Sequence, residues 1–594
     1  MKNKIGMKYD VIIVGGGMSG VCAAIASARY GAKTALIQNR PVLGGNASSE
    51  IRMHICGADC HGSRPDARET GILEELLLEN RKRNPNHSFS IFDTVLWEKT
   101  RFQDGLDLYL NTHMNEVIVE NNTIKKISAV QLTTEKDFEL EAQIFMDATG
   151  DGTLADLAGA EYMKGHEGRD VFGEQYAQDK SDSYTMGNSL LFKAADRGKP
   201  VPFEKPYWAN TYTEADLSSY RDHREIMAGY WWIELGGGKQ DIIADGEEIR
   251  DDLLKAAYGV WDHIKNSGRH GAENYDLDWV GFVPGKRESR RIVGDYILKD
   301  RDALEGKIFE DAVAYAGWPI DTHVVEGLKA KAQHEGTLFL HLKDVFTVPY
   351  RCLYSKNITN LMIGGRAISA SSTAFGATRV MATCAIIGQA GGTAAAMAIQ
   401  KGILPRDMLK HIKELQQALL KDDCYIPGFK NEDRDDLARI AKISCSSSIE
   451  GAACENAVNG VARKVKENSN CWISGEISGK GEWISLEFGR EIHPQEVRLK
   501  FDSNLSKEIM ISLSDKVLAN QIPGIPPQLV KDYDIEFYKQ DKLVHVENVR
   551  NNYFRLKICK LEKSISCDRI KVHVRSTNGD RYARIFEVRV YEQR

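Results

Sequence analysis

Several groups of residues in this 594-residue chain have the types and spacing to do chemistry. Gly15-Gly16-Gly17-Met18-Ser19-Gly20 is a Gly-x-Gly-x-x-Gly pattern. In that pattern Gly15 makes a tight turn, Gly17 lets the backbone approach a pyrophosphate, and Gly20 lets a helix pack on a strand. Lys286, Arg287, Arg290 and Arg291 concentrate positive charge that can clamp a carboxylate or phosphate, or pair structurally with Glu288 and Asp295. Asp321-Thr322-His323 sets a carboxylate and an imidazole two residues apart, on one face of a strand. An imidazole held by a carboxylate is a competent base for an alcohol proton, although two such residues can also simply meet solvent. Glu50-Ile51-Arg52-Met53-His54-Ile55-Cys56 alternates polar and apolar residues, and a strand there aligns Glu50, Arg52, His54 and Cys56 on one face. His54, Cys56, Cys60 and His61 also invite a metal reading. The Cys-x-x-x-Cys spacing is loose, loop cysteines and a packed histidine explain it better, and no metal is expected.

These side chains need elements to position them. Tyr9–Val14 reads as a strand, the run after Gly20 as a small-residue helix, and Thr34–Ile37 as a second strand, the order of a βαβ unit. The acidic residue that normally takes the ribose hydroxyls is replaced by Gln38, followed by Asn39 and Arg40. The amide can still bond a hydroxyl, and Arg40 leaves a 2′-phosphate reading open. Gly44-Gly45-Asn46, Ala148-Thr149-Gly150 and Gly364-Gly365-Arg366 are further glycine turns, the last two after apolar strand-like runs. Gly376-Ala377-Thr378-Arg379-Val380 then leads into a small-residue helix from Met381 to Ile399. A compact NAD domain has no use for so many dispersed turns, whereas a long dinucleotide lying extended across a sheet does.

Residues from about Gly165 to Tyr350 read as an inserted segment, rich in aromatics such as Tyr230-Trp231-Trp232, Trp261, Trp279 and Trp318. These suit a cover over a planar ring, or ordinary core. A helix is predicted from Pro405 to about Leu420 with Leu409, Ile412, Leu415 and Leu419 inward, then a charged linker around Lys430–Asp436. Beyond it, short alternating strands separated by turns predict an antiparallel β-sandwich. The net charge of −6 argues against nucleic acid or an anionic membrane as a partner. Eleven cysteines form no disulfide framework and no Cys-x-x-Cys-x-x-Cys run for an iron–sulfur cluster. No segment reads as long and apolar enough to span a bilayer, no signal-peptide core precedes the first strand, and a cytoplasmic location is expected.

Residues 8–424 resemble the FAD-dependent oxidoreductase family, which is distantly similar to the heterodisulfide reductase flavoprotein and to fumarate-reductase-like flavoproteins. The resemblance rests on Gly15–Gly20, Leu43–Glu50, Ala148–Gly152, Pro284–Arg291 and Gly365-Arg366. Residues 441–594 resemble a discoidin-type (coagulation-factor C-type, galactose-binding-like) jelly roll, through Asn456–Gly460, Trp472, Trp483–Gly489 and Ile585–Tyr591. The implied fold is α/β: a discontinuous glutathione-reductase-type FAD-binding Rossmann domain (1–164 and 346–424), an inserted α+β cap (165–345), a linker (425–440) and the sandwich (441–594). FAD is the expected cofactor. Its expected contacts are Gly15, Gly17, Met18, Ser19, Gly20, Gln38, Asn39, Arg40, Gly44, Gly45, Asn46, Ala148, Gly150, Gly365, Arg366, Thr378, Arg379 and Val380. The expected catalytic groups are His323, Asp321, His54, Arg287 and Arg291. The reaction implied is hydride transfer between a small polar organic substrate and the flavin, with a sugar or glycoside alcohol suggested by the sandwich. The electron acceptor stays open. The alternatives are an electron-transfer reductase component with an iron–sulfur cluster, like the heterodisulfide reductase flavoprotein, and a carbohydrate-binding or assembly protein with a structural flavin. The sandwich is open to sugar binding, to contact within a homo-oligomer, or to capping the core.

Overall fold

A computed structural model describes residues 4–217, 221–330 and 337–592. The chain divides into two compact units: Met1–Cys60 with Asn86–Ile412 and Met510–Asn520, and His61–Pro85 with Lys413–Ile509 and Gln521–Arg594. The expected boundaries did not provide for the two crossings, the helix Ile72–Arg83 in the second unit and residues 510–520 in the first.

The first unit is built on a mixed sheet. Its strands are β1 (Ile5–Val14), β2 (Thr34–Ile37), β3 (Leu106–Tyr109), β4 (Thr112–Glu120), β5 (Thr123–Gln131) and β6 (Lys136–Asp147), in the order β3-β2-β1-β6-β5-β4. β3, β2, β1 and β6 run parallel, while β5 pairs antiparallel with β6 and β4 antiparallel with β5. β6 serves two neighbours on one side: Lys136–Glu141 pairs with β5, and Phe145–Asp147 pairs in parallel with a later strand, Leu361–Ile363. Val11, Ile12 and Ile13 are fully buried, the continuous apolar run that a parallel strand covered on both faces requires.

Between β1 and β2 runs α1 (Met18–Arg29), and α2 (Phe89–Arg101) precedes β3. The cap's main helix is α3 (Gly246–Asn266); α4 (Ser372–Thr378) and α5 (Met381–Lys401) follow the last sheet strand. α5 crosses α1 at backbone contact: a Cβ on Gly388 or Gly392 would collide with the carbonyls of Ser19 and Ala23. This corrects the expectation that no segment could span a bilayer, because α5 passes on length and hydropathy. It is instead a core helix, buried from Ala382 to Ala398 because its small residues admit α1. In the cap, Phe192, Tyr230, Trp232 and Trp261 form a core with α3, so these aromatics are packing residues.

Three local expectations are overturned. Glu50–Cys56 is irregular backbone, not a strand. Ile51 N–H and Arg52 N–H both donate to Ser48 O, and Arg52 sits at φ +64°, which breaks the alternation. Pro405–His411 is 3-10 helix before the α-helix Ile412–Lys421, so Met408 rather than Leu409 turns inward. A turn of three residues instead of 3.6 shifts the phase. The charged stretch Lys430–Asp436 lies inside the second unit rather than linking two units, with Lys430, Glu432, Arg434 and Asp435 exposed. Asp436 is buried, and its carboxylate accepts N–H bonds from Ala438 and Val590.

The second unit holds two antiparallel sheets. One orders Lys442–Cys445, Glu482–Ile492, Cys567–Thr577, Val530–Lys539 and Lys542–Val549; the other orders Trp472–Glu476, Tyr582–Glu592, Pro494–Phe501 and Leu556–Lys560. Phe501 of one sheet packs edge-on against Tyr533 of the other, with ring centroids 5.1 Å apart.

Candidate active site

The glycine loop is shaped before any ligand arrives. Gly15 N–H donates to Ile37 O, and Gly15 adopts φ +106° with the Ala148 carbonyl packed where a Cβ would stand. A Cβ on Gly20 would strike the Gly15 carbonyl. Gly17 differs: its backbone is extended, and a Cβ there would meet only Gly45 Cα at 4.0 Å. Gly17 therefore opens on space beside the N-terminus of α1, where amide N–H groups favour an anion. Gly44 closes one wall, its N–H donating to Gly16 O. Gly364-Gly365 closes another, beside Ser19, whose buried hydroxyl has no partner among the described residues. A polar ligand threading between these turns fits that orphaned hydroxyl.

Gln38 behaves differently from expectation. Its Oε1 accepts from Gly16 N–H at 2.9 Å and its Nε2 donates to Val42 O at 3.1 Å, so the amide braces the glycine loop. Asn39 is exposed, and Arg40 lies 3.7 Å from Glu50. Asn46 donates to Lys286 O, as does Arg366. Arg366 and Lys286 both grip Asp151, at 3.0 and 2.6 Å. Burial would raise that carboxylate, but the two cations hold it below its ordinary range. Asp147 shapes the turn above it by accepting from the Thr149 N–H and hydroxyl and from Ala155 N–H. Gly150 lies flat against Arg366, and Met18 and Thr378 are buried.

The side chains expected to do acid–base work, with their partners, come from four separate segments. His323 and Asp321 lie on the strand Ile320–His323, side chains on one face as the spacing predicts. His323 Nδ1 is 2.6 Å from Glu234 Oε2, whereas its Nε2 is 3.3 Å from Asp321 Oδ1. Glu234, not Asp321, is thus the carboxylate that orients the ring. Asp321 is held instead by Arg379, at 2.7 Å. Arg287 stands 3.5 Å from Glu234 and donates to the carbonyls of Gly187 and Trp231. Trp231 packs edge-on against His323, with ring centroids 5.3 Å apart. Burial raises both carboxylates, yet their partners more than reverse it: Arg379, the contact with His323, and Arg287 bring Asp321 down to about 2, and Glu234 is also lowered. Burial lowers the Arg287 guanidinium. Glu234 Oε1 and Arg379 Nε are buried without hydrogen-bond partners among the described residues.

Arg291 is not in this group. It is fully buried, pairs with Glu167 at 2.5 Å and Glu288 at 2.6 Å, and donates to Gly165 O and Ala370 O. A guanidinium spent on two carboxylates and two carbonyls inside the fold is a structural tie, so its catalytic expectation is withdrawn. Glu167 also accepts from Ser372 N–H, which fixes the start of α4. Arg351 is likewise committed, to Asp311. Arg52 stacks on Trp279 at 4.2 Å. His54 lies in the irregular stretch, with a ring nitrogen within 4.8 Å of Cys56 Sγ. Cys60 donates its thiol to Gly317 O, and His61 belongs to the second unit, paired with Glu508. Glu234 was missed by sequence reading: a lone glutamate 89 residues from its partner carries no spacing signal.

A family model described as "FAD dependent oxidoreductase" matches residues 10–419. Solved carbohydrate-binding modules are similar to the C-terminal part. A Streptococcus pneumoniae fucose binding module, SpX-3, is 15% identical, covering 27% of this chain and 98% of its own, with a TM-score of 0.21. The family 32 module of C. perfringens NanJ, in complex with galactose, is 15% identical over 27% and 98%, at 0.20. The family 32 module of S. pneumoniae EndoD is 17% identical over 27% and 99%, at 0.21.

Proposed function

Given that the chain belongs to the FAD-dependent oxidoreductase family, with FAD as its cofactor, we propose that it oxidises an alcohol carbon of a small polar substrate, with His323 as the base. Bound FAD supplies a two-electron acceptor for the hydrogen leaving carbon. The residues that fit it are the backbone of Gly17–Gly20, the turns at Gly44-Gly45 and Gly365-Arg366, and the junction Thr378–Val380. The observation that carries the reading is the Arg379–Asp321 pair, which ties that junction to the strand bearing His323.

The protein groups have distinct tasks. With Nδ1–H donating to Glu234, His323 keeps the Nε2 lone pair for a substrate hydroxyl proton. Glu234 and Asp321, balanced by Arg287 and Arg379, give a cluster near neutrality while the imidazole is neutral. Proton gain by His323 then leaves the carboxylates to stabilise the imidazolium. Trp231 supplies an apolar wall against the ring. The substrate loses a C–H hydrogen with its electron pair and an O–H proton, and becomes a carbonyl. A sugar or glycoside is the class we favour, because the chain carries a β-sandwich unit in addition to the oxidoreductase region, and two buried polar atoms at the cluster are free to bond hydroxyls.

Anaerobic mixing of the flavin-loaded protein with a panel of sugars and glycosides tests this. Loss of the oxidised flavin's visible absorption with one class, abolished by His323→Asn, is the expected result. No bleaching by any alcohol, with bleaching by a thiol or a nicotinamide donor instead, would overturn it.

A further inference from the structure

We infer that the cap contains a structural zinc site formed by Glu214, His223, His263 and His270. Their ligand atoms all lie within 4.8 Å of one another. The individual edges are tighter: Glu214 Oε2 to His263 2.9 Å, to His223 3.5 Å and to His270 3.6 Å, and His263 Nε2 to His270 Nε2 3.2 Å. With Zn–N bonds of about 2.0 Å, a tetrahedron has edges of about 3.3 Å, so these values bracket the geometry the ion needs. In each histidine it is Nε2 that faces the cluster.

The surroundings of the ligands support the same assignment. His223 Nδ1 lies 2.7 Å from the Arg221 carbonyl, which fixes the tautomer with the Nε2 lone pair turned to the centre. Arg221 is itself anchored, donating to Asp216 O and Ala330 O. His223 and His263 are buried, His270 nearly so, and their rings meet at centroid distances of 4.9 to 5.3 Å. Three imidazole nitrogens aimed at one another are poorly explained as a hydrogen-bond network, since each contact between two of them needs one to give up its lone pair to the other's N–H.

Four protein ligands close the coordination sphere, the pattern of a structural site. Three nitrogens and one carboxylate oxygen suit zinc better than calcium or magnesium. The ligands come from a four-residue helix (Glu214–Leu217), the irregular stretch around His223, α3, and the turn beyond α3. The ion would staple a segment with little regular structure onto the main helix of the cap. That segment runs on to Trp231 and Glu234.

The test uses the full-length protein, expressed without a polyhistidine tag and analysed for metals by mass spectrometry. About one zinc per chain is expected. Removal by a chelator should lower the melting temperature, and added zinc should restore it. Cobalt substitution should give the intense visible bands of a tetrahedral ion, beyond the flavin absorption. His263→Ala and the milder His270→Asn should lower zinc affinity at least about tenfold, with FAD content retained as evidence of folding. Protein that neither carries zinc nor takes up zinc or cobalt would overturn the assignment. So would variants that keep a full equivalent of metal.

Discussion

His323 Nδ1 lies 2.6 Å from the carboxylate of Glu234, a residue 89 positions earlier in the chain, and in the proposed reaction this contact leaves Nε2 to meet the substrate. His323→Asn should therefore lower kcat by about 10²- to 10⁴-fold while FAD remains bound. Glu234→Gln keeps the size of the side chain but removes the charge that steadies the imidazolium. Its loss should appear mainly in kcat, and steady-state kinetics across pH will separate the two variants.

Gly17 and Gly20 belong to one motif but answer to different constraints. Gly20→Ala drives a methyl group into the Gly15 carbonyl, so soluble folded protein should fall sharply. Gly17→Ala has room within the protein, and its φ of −67° suits any residue. That variant should keep its melting temperature in the FAD-free form yet lose flavin, as read by absorbance of the purified protein. Equal stability loss in both variants would contradict a ligand-facing Gly17.

In the second unit Lys500 and Arg589 both pair with the buried Glu587, at 2.6 and 2.8 Å. Burial raises this carboxylate, but the two cations outweigh it and bring it down to about 2. Glu587→Gln leaves both cations uncompensated and should cost about 3–5 kcal/mol in urea unfolding. Lys500→Met leaves the Arg589 pair and should cost less. Because the folded pKa is depressed, the stabilisation is present above the ordinary glutamate value near 4.5 and is lost as pH falls towards 2.

Asp436 shows the opposite sign. Burial raises it to about 6, more than the N–H bonds and Arg589 lower it. The folded state then binds the proton more tightly than the unfolded state, so stability declines as pH rises from about 4 through 6. Thermal melts should show wild type gaining on Asp436→Asn between pH 7 and pH 5. Parallel curves would refute this.

Arg379→Ala should separate binding from chemistry. The guanidinium holds Asp321 and Arg379 caps the C-terminal end of α4, just before α5, so its loss should raise KM and weaken retention of FAD. Arg291→Ala, by contrast, should act through stability, because that side chain is fully buried among Glu167, Glu288 and two carbonyls. Melting temperature against flavin content distinguishes the two.

Local patterns settled much of this protein. The glycine motif between β1 and α1, the strand before Gly364, the small-residue helix from Met381 and the alternating C-terminal strands are written in periods of 2 and 3.6 that short windows reveal. The shared face of Asp321 and His323 follows from the same arithmetic. Tertiary structure alone decided which partners those residues took. Glu234 displaced Asp321 as the orienting carboxylate, Arg291 went to the fold, and Gln38 turned back on the glycine loop. It also set three histidines and Glu214 around one point, from positions 7 to 56 residues apart in the chain. Such pairings depend on how distant segments pack, and no window along the sequence carries that distance.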